Sequence, residues 1–540
     1  MIETEVAIVG CGPIGAIMAN LLGARGIRTV VLDKELTVYQ LPRAVGMDDE
    51  VMRVLQSQQL EETCIGEVTT IKGMDMLRGN RKLLRRVCLG KEPKLLGHPL
   101  LALFHQPTLE AGLRKGVARY AAVDVRLGRE VRDIRDHDEY VEIDAHNVET
   151  GEEESIRASY LLGCDGGRSV VRKAFEIEQE DLGLHQPWVV VDAIMKNPLK
   201  ETGYAEQICD PDRPGTFIPT PAPRKRWEFM VMPDDDPNEV SRPAFLEKLI
   251  RPWAAPEDYE VERAAVYTFH ALIAKQWRTG RAGRVLLMGD AAHQMPPFLG
   301  QGMCAGVRDA FNLAWKLELV LGGEAGSDLL DTYQSERSEH VRQVIALAVR
   351  LGRVIQSPSR FKSSLVNASM ILAERLRIET PIRSTKTIPI GPGFYSAAHP
   401  PGSKKQCPFP QPCVQLPSGE THRLDACLGD FFTLLSRHRN RPAVSESSAD
   451  GLVKDLHYLP ADSAYTGSFE GSIRDTEGTI ANWLDDHRCD AVLLRPDRQP
   501  FGLYRGEQAR YEYVASDLRT TLSASRSGRN ATHPEELVVA

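Results

Sequence analysis

The sequence predicts an α/β fold in which an open parallel sheet is interrupted by a mostly β insertion and followed by a separate C-terminal domain. Three observations lead to this prediction. Residues 5–33 have the pattern of a strand, a helix and a second strand. Residues from about 180 to 280 have the pattern of short β segments between Pro- and Asp-rich turns, and the chain becomes loop-rich after Pro389. A chain of 540 residues is also too long for one hydrophobic core, so two or three domains are expected.

The opening segment has the pattern of a βαβ unit. Residues 5–10 form an apolar strand, 13–25 a helix of small and aliphatic residues, and 28–33 a second strand, which together indicate a parallel sheet. Later segments extend this domain. They are predicted as helices at about 107–120, 303–320 and 328–355, and as strands at 140–146, 154–164 and 284–290.

The insertion contains β-like runs such as 188–195 and 226–232, bounded by turn residues. Beyond the loop-rich stretch, segments 430–437 and 490–497 are strand candidates of the last domain. The resulting domains are residues 1–178 and 281–355 for the first domain, 179–280 for the β-rich insertion, 356–395 for a helical linker and 396–540 for the C-terminal domain.

Composition narrows the class of protein. A net charge of −8 argues against nucleic-acid binding, which requires a basic stripe on the surface. No apolar run approaches the ~20 residues that are needed to span a bilayer. The chain begins with a strand and shows no signal-peptide pattern. Ten scattered cysteines without a Cys-x-x-Cys pair or a zinc-ligand spacing indicate reduced thiols. We therefore expect a cytoplasmic protein with no metal site and no membrane or nucleic-acid partner.

A Gly-x-Gly-x-x-Gly turn lies between the first strand and the first helix and is formed by Gly10, Gly12 and Gly15. Glycines there let backbone N–H groups and the helix N-terminus approach a pyrophosphate. Asp33, with Lys34 next to it, ends the second strand, and its carboxylate can accept hydrogen bonds from ribose hydroxyls. This acid argues against a cofactor that carries a 2′-phosphate in this site, whereas FAD and NAD both remain possible.

Two further aspartates follow strands of the same predicted sheet. Asp165 and Arg168 lie in the segment GCDGGRS, and Gly289 and Asp290 open the segment GDAAH. Aspartates at the carboxyl edge of a parallel sheet can reach a ligand that lies across the sheet, and Asp290 is placed to accept from a ribityl hydroxyl. The alternative for each acid is a turn or a helix cap.

Together the three motifs resemble the flavoprotein monooxygenases of the para-hydroxybenzoate hydroxylase type, over about residues 4–350. Segments such as PRAVGMDDE and GDAAHQMPPFLGQGMCAGVRDAFNLAWKL are most similar to the 3-(3-hydroxyphenyl)propionate hydroxylase branch. The resemblance implies a Rossmann-like FAD-binding domain, a β-rich substrate domain and a thioredoxin-like C-terminal domain. Because the last domain has no Cys-x-x-Cys, we expect a structural role or a role in forming a homodimer rather than redox chemistry.

The resemblance also implies an activity, the hydroxylation of a phenolic ring by an FAD-dependent monooxygenase that uses NAD(P)H and O2 through a flavin C4a-hydroperoxide. Arg43, Gln106 and Asp290 are then expected to contact FAD, and Asp165 and Arg168 to serve both FAD and the nicotinamide. No other segment reads as a nicotinamide domain, so the reductant is expected to bind transiently. The alternatives are a halogenase or reductase on the same fold, a flavin-binding module without catalysis, and a hydroxylase of another phenol or secondary metabolite.

The segment after Pro297 is expected to face the flavin ring. Gly300 and Gly302 precede a helix that continues with Met303, and the unpaired N–H groups at a helix start favour negative charge. At the N1/O2 edge of a reduced flavin they would stabilise the anion. The alternative is a second dinucleotide fingerprint, which is disfavoured because no strand precedes these glycines.

The sequence does not single out the residue that activates the phenol. Asp48 is preferred because it follows the flavin-side loop, although an N-cap of the next helix is an equal alternative. The Pro297 carbonyl is a second candidate by resemblance, His293 can equally be a core histidine, and Tyr267 and His270 are further polar candidates. The pocket wall is expected to come from the insertion, as a group: Trp188, Gln207, Phe217, Trp227, Phe229 and Met232.

Overall fold

The computed structural model describes most of the chain in two compact units. The described residues are 1–40, 42–64, 68–89, 95–236, 238–356, 359–378, 388–400, 407–437, 451–460 and 472–526. The first unit comprises Met1–Lys94, His98–Arg308 and Val341–Thr385, and the second comprises Leu95–Gly97, Asp309–His340 and Lys386–Ala540. Residues 357–358 and 379–387 of the predicted linker, and residues from 527 onward in the predicted C-terminal domain, lie outside the described residues.

The first unit contains three sheets. Their strands are β1 Ile2–Val9, β2 Thr29–Asp33, β3 Gly46–Asp48, β4 Thr69–Thr70, β5 Gly73–Leu77, β6 Leu83–Cys88, β7 Leu101–Leu103, β8 Val123–Leu127, β9 Arg129–Asp136, β10 Val141–Asn147, β11 Glu153–Gly163, β12 Gln179–Met195, β13 Tyr204–Ile208, β14 Gly215–Ile218, β15 Arg224–Met230, β16 Tyr259–Ala274, β17 Arg278–Thr279, β18 Val285–Leu287 and β19 His293–Gln294.

The helices range from single turns to long rods. They are α1 Pro13–Ala24, α2 Asp49–Ser57, α3 Glu61–Cys64, α4 Gln106–Val117, α5 Val170–Ala174, α6 Pro243–Ile250, α7 Gly302–Leu321, α8 Asp331–Ile355, α9 Arg360–Arg375, α10 Asp425–Leu428, α11 Thr479–Asp486 and α12 Tyr511–Arg526. Within the described part of the chain, none is both long enough and apolar enough to cross a membrane.

The first sheet has the order β17-β18-β11-β1-β2-β8, and β10 and β9 extend it from β11. β1 runs parallel to β2 and β11, and β11 runs parallel to β18. Residues 6–9 are buried and apolar in succession, as a parallel strand covered on both faces requires. β1 ends one residue before the predicted end, because Gly10 has a φ of +99° and turns the chain out of the sheet. β18 likewise stops at Leu287, before the predicted 290.

The second sheet has the order β19-β16-β12-β15-β14-β13-β5-β6. β5 and β6 come from residues before the predicted insertion. Side chains alternate between the two faces, and one face forms an apolar core with α6. The buried members of this core are Val189, Val191, Ala193, Met195, Phe217, Trp227, Phe229, Leu246, Ile250, Ala254 and Tyr259. A third, small sheet has the order β3-β7-β4.

The second unit is built on a sheet of seven described strands in the order β21-β20-β24-β23-β22-β25-β26. These are β20 Cys413–Gln415, β21 Thr421–Arg423, β22 Phe432–Arg437, β23 Val453–Leu459, β24 Ser472–Asp475, β25 Ala491–Leu494 and β26 Pro500–Tyr504. β22, β23 and β24 are parallel, whereas β25 and β26 are antiparallel. Apolar clusters lie on both faces, with Leu434 in one and Leu435 in the other. The thioredoxin-like description of this unit stays a prediction.

A buried group of charged side chains joins helices of the second unit to the end of β25. Glu336 accepts two hydrogen bonds from the Arg495 guanidinium, both of 2.8 Å, and one of 3.0 Å from the Lys316 ammonium. All three side chains are fully buried. Although burial acts to raise it, the two cations lower the pKa of Glu336 to about 2. The stabilisation contributed by this carboxylate is therefore complete above its usual pKa of 4.5 and is lost as the pH falls towards about 2.

Arg495→Met should destabilise the protein strongly, because it removes the bidentate partner of a buried carboxylate. Breaking one partner of a buried ion pair costs about 3–5 kcal/mol. Arg510→Met is the matched control, since Arg510 is exposed and, within the described part of the chain, pairs with the exposed Glu507 alone, and surface substitutions cost about 0.5 kcal/mol or less. Urea unfolding of both variants measures the difference, and equal midpoints would contradict this role of the cluster.

Candidate active site

The carboxyl ends of four parallel strands meet at one edge of the first sheet. In the register, Val9 is paired with Leu32 and with Gly163, and Gly163 is paired with Leu287. The segments that follow these strands carry the glycine turn and the aspartates identified in the sequence: Gly10, Gly12, Gly15, Asp33, Asp165 and Asp290. A ligand that lies across this edge can contact all of them.

The three glycines of the turn have different physical roles. A Cβ on Gly15 would lie 1.8 Å from the Gly10 carbonyl oxygen, and one on Gly10 would lie 2.5 Å from the Cys164 oxygen. These two positions allow the strand, the helix and the neighbouring loop to pack closely. A Cβ on Gly12 would meet no atom within 4 Å. The turn is therefore a cradle that is open at Gly12, and a pyrophosphate fits there.

Asp33 closes one side of this cradle. Its carboxylate accepts a hydrogen bond of 2.6 Å from the Cys11 N–H and another of 2.9 Å from the Glu35 N–H. The carboxylate is thereby fixed at the end of β2, next to the glycine turn, where it can accept from ribose hydroxyls. Lys34 points to solvent and lies 3.9 Å from Glu35.

Asp165 fits both roles that the sequence allows, a helix cap and an acceptor for a ligand. One carboxylate oxygen caps α5 by accepting from the N–H groups of Val170 and Val171, at 2.6 and 3.2 Å. The other is buried and has no hydrogen-bond partner within the described residues. Burial raises the pKa of this carboxyl, against the hydrogen bond from Ser169 that lowers it. The unpartnered oxygen can accept from a ligand, and Arg168 beside it is exposed.

Asp290 lies in a single 3-10 turn, Gly289–Ala291. Its side chain is exposed to solvent and, among the described residues, makes no hydrogen bond or ion pair. Burial nevertheless raises the pKa of its carboxyl, while His293 and Arg43 act to lower it. The carboxylate is accessible at the edge of the sheet, which fits an acceptor for a bound cofactor.

The loop Pro42–Arg43–Ala44 is held from two sides. The Gln106 side-chain oxygen accepts from the N–H groups of Arg43 and Ala44, at 2.7 and 2.8 Å. Arg226 donates to the carbonyls of Pro42 and Arg43, and Arg263 also donates to that of Pro42. Arg226 is itself held by a bidentate, buried pair with Asp192. The described side-chain contacts of Gln106 are therefore with this loop and with Glu110. The exposed Arg43 side chain extends from the same loop.

The structure places Asp48 in the role of a helix cap. Its carboxylate accepts from the Val51 N–H at 3.1 Å and pairs with the Arg308 guanidinium. Arg308 also binds Glu50 at 2.5 Å and the Gln301 side chain at 3.0 Å. With both carboxylate oxygens bonded in a buried group, Asp48 is not available to a phenol. These contacts favour the helix-cap interpretation of Asp48, and its role as the activating residue stays a prediction that they do not support.

The segment before α7 has the shape expected for a helix start near a ligand. Pro297–Leu299 forms a 3-10 turn, Gly300 has a φ of +63°, and α7 begins at Gly302. The first N–H groups of α7, including that of Met303, have no acceptor one turn earlier in the helix. The Pro297 carbonyl accepts from the Gly300 N–H at 2.8 Å. His293 is fully buried, with its ring 5.2 Å from that of Trp277, as expected for a core histidine.

The predicted pocket wall separates into two groups. Phe217, Trp227 and Phe229 belong to the apolar core shared with α6, which favours a core role for them, and their assignment to the pocket wall stays a prediction. Trp188 and Gln207 lie on the opposite face of the sheet, the face that carries Arg226 and Asp192. Met232 follows β15 and is partly buried, and its N–H donates to Asp235. Strands alternate between two environments, and the aromatic residues are distributed over both.

The sequence reasoning missed the charged residues on this face. Arg226 and Glu228 flank Trp227 on β15, Asp192 lies on β12, and Arg263 lies on β16. All four are buried. The signal that could have found them is the alternation of charged and aromatic residues in the segment RKRWEFM, because a charge inside a buried strand is rare without a specific partner.

Comparisons with known proteins agree with this geometry. A family model described as FAD binding domain matches residues 3–348, and one described as HcaD C-terminal domain matches residues 407–518. The chain is 33% identical over 514 residues to the 3-(3-hydroxy-phenyl)propionate/3-hydroxycinnamic acid hydroxylase of Escherichia coli (strain K12), which covers 92% of this chain and 91% of that protein. The protein of the same description from Shigella sonnei (strain Ss046) is also 33% identical, over 515 residues.

Two solved structures share the fold. The flavin-dependent monooxygenase PieE, in complex with FAD and substrate, superposes with a TM-score of 0.80 and 19% identity, over 97% of this chain and 99% of that one. A ternary complex of aklavinone-11 hydroxylase with FAD and aklavinone gives a TM-score of 0.77 and 23% identity, over 97% and 99% of the two chains.

Replacing single glycines of the turn should separate cofactor binding from folding. Gly12 has a φ of −72° and free space at its Cβ position, so Gly12→Ala should fold normally and lose FAD affinity, by about tenfold or more (1.4 kcal/mol). Gly15→Ala is the matched variant that should lose stability instead, because its Cβ meets the Gly10 oxygen. Flavin absorbance per protein and the melting temperature of the apoprotein measure both effects. Full FAD occupancy in Gly12→Ala would contradict the cradle.

Asp290→Asn should weaken FAD binding and leave the stability of the apoprotein unchanged, because the carboxylate has no described partner within the protein. A lost hydrogen bond to a charged group costs about 1.5–3 kcal/mol, or roughly 10- to 150-fold in affinity. Titration of the apoprotein with FAD, followed by flavin fluorescence, measures the change. An unchanged dissociation constant would show that Asp290 only shapes its turn.

Proposed function

This chain belongs to the FAD-binding-domain family of flavin-dependent aromatic hydroxylases, and we propose that it hydroxylates 3-(3-hydroxyphenyl)propionate or a closely similar phenol with NAD(P)H and O2. The observation that carries the proposal is the identity of 33% to a hydroxylase named for that substrate, over more than nine tenths of both chains. The support from the structure is that the glycine turn and the aspartates predicted to bind the cofactor lie at one sheet edge, and that a second sheet, which contacts the loop at residues 42–43, carries buried polar side chains.

Bound and reduced FAD supplies the electrons with which molecular oxygen is activated for transfer to the ring. The protein's own groups bind and orient the reactants. The turn at Gly12 would hold the pyrophosphate, Asp33 the adenosine ribose and Asp290 the ribityl chain. Arg43 and the start of α7 would lie beside the ring system, where the positive end of the helix would favour negative charge.

The rigidity of these loops follows from their hydrogen bonds. Gln106 and Arg226 hold the backbone of residues 42–44 from opposite sides. Arg308 ties Gln301, at the start of α7, to Asp48 and Glu50. Groups fixed before the reactants bind do not have to reorganise during the reaction. The reductant has no separate domain in this proposal and reaches the flavin from the solvent side, near Asp165 and Arg168.

The proposal predicts that 3-(3-hydroxyphenyl)propionate accelerates NADH or NADPH oxidation by the FAD-loaded protein and gains one oxygen atom. 3-Phenylpropionate is the matched control, because it has the same side chain and no hydroxyl to make the ring electron-rich. Rates are followed by nicotinamide absorbance and products by mass. If only another phenol is hydroxylated, the substrate assignment is wrong. Oxidation that yields hydrogen peroxide with every phenol would contradict the hydroxylase proposal.

A further inference from the structure

A buried carboxylate lies on the second sheet between the positions that contact two cofactor-side loops. Glu228 on β15 is paired with Val190 on β12 and with Thr216 on β14. One register step away, Arg226 binds the carbonyls of residues 42–43. One step in the other direction lies Trp188, whose ring is 6.1 Å from that of Phe298 in the segment before α7. Glu228 therefore faces the space between these two loops.

Glu228 takes no part in the hydrogen bonds that hold this region. Its side chain is buried, and among the described residues no donor binds it, the nearest cation being Arg226 at 3.8 Å. Arg226 already binds Asp192 and two backbone carbonyls. The hydroxyl of the neighbouring Thr216 donates to Gln207 instead. A buried carboxylate without donors is costly for the fold, and such groups concentrate at functional sites.

A second polar group on the same face also has no hydrogen-bond partner among the described residues. The Trp188 side chain is 1% exposed, and its indole N–H has no acceptor among the described residues. An acceptor and a donor thus lie on adjacent rows of the same face, beside the loops that flank the cofactor. The combination fits a ligand that carries a hydroxyl group on an apolar ring.

We propose that the Glu228 carboxylate is the base that takes the proton of the substrate's phenolic hydroxyl, an inference that rests on the proposed function. The phenol O–H bond breaks, an O–H bond forms on a carboxylate oxygen, and the electron pair remains on the phenol oxygen. The ring becomes more electron-rich and hence more reactive towards electrophilic oxygen. Asp48 and His293 do not serve this step, because the first is bonded to Arg308 and the second lies in the core beside Trp277.

The charges around Glu228 suit a base. Burial raises the pKa of its carboxyl; Arg226 and Arg263 oppose this effect and Asp192 adds to it. A carboxyl with a raised pKa holds a proton more readily than an ordinary one and is still ionised above that pKa. Product formation by the wild type should therefore fall as the pH drops below the pKa of Glu228, because the protonated carboxyl can no longer accept the phenolic proton.

The test compares Glu228→Gln with Glu262→Gln, a partly exposed carboxylate on the same sheet that pairs with Arg224. Glu228→Gln should bind FAD, be reduced by NAD(P)H and lose about 10²–10⁴-fold in hydroxylation at neutral pH, releasing hydrogen peroxide instead. The loss should shrink as the pH approaches ~10, where the phenol ionises unaided. It should also shrink with ring-fluorinated phenols of lower pKa. Glu262→Gln should behave like the wild type in each measurement.

A readout independent of turnover is the near-ultraviolet absorbance of the bound phenol, which reports its ionisation. An ionised Glu228 that accepts the phenolic hydrogen bond favours the neutral phenol, so the bound phenol should ionise at a higher pH in the FAD-loaded wild type than in FAD-loaded Glu228→Gln, where the negative charge is removed. The same ionisation pH in both proteins would overturn the inference. A hydroxylation defect that is the same for all phenols and all pH values would overturn it as well, since it would indicate a structural role. If the two proteins differ in this way but the wild type hydroxylates no phenol, the proposed function fails while Glu228 is retained as the group that accepts the phenolic hydrogen bond.

Discussion

The parallel pairing of β1 with β2 and β11, and of β11 with β18, is the constraint on which the cofactor site depends. Segments that are far apart in the chain follow these strands, and only the shared direction of the strands brings them to one edge. The glycines then set the distances. Gly15 lets α1 approach the Gly10 carbonyl, and a Cβ at Gly306 would come within 3.1 Å of the Gly289 Cα, so α7 and the turn of Asp290 also pack closely.

Polar side chains, rather than apolar contacts, fix the loops at this edge. Arg226 and Arg263 hold the loop at residues 42–43 from the second sheet, and Gln106 holds it from α4. Buried charges are expensive to desolvate and contribute little net stability over apolar residues of the same volume. Their advantage here is geometric, because a bidentate guanidinium accepts only a narrow range of positions for its partners. Arg308 has the same effect on Asp48, Glu50 and Gln301.

The two faces of the second sheet have different surroundings. One is an ordinary core, in which Trp227 and Phe229 pack against Leu246 and Ile250 of α6. The other carries Asp192, Arg226 and Glu228 in adjoining rows. Asp192 accepts two hydrogen bonds from Arg226, which holds the loop, whereas Glu228 accepts none from the described part of the chain and lies 3.8 Å from Arg226.

The sequence by itself determined the βαβ opening, the cofactor-binding turn and the aspartates after β2, β11 and β18. Each depends on residues close together in the chain: apolar periodicity makes the strand, and glycine permits the turn. Only the tertiary structure decided which polar groups are hydrogen-bonded within the protein. The sequence cannot distinguish Asp48 from Glu228, because that choice depends on Arg308, which lies 260 residues from Asp48. Alternation along β15 likewise predicts two faces but not their surroundings. Which face packs on α6, and which meets the loops, follows from strand order and register, which form through contacts between distant residues.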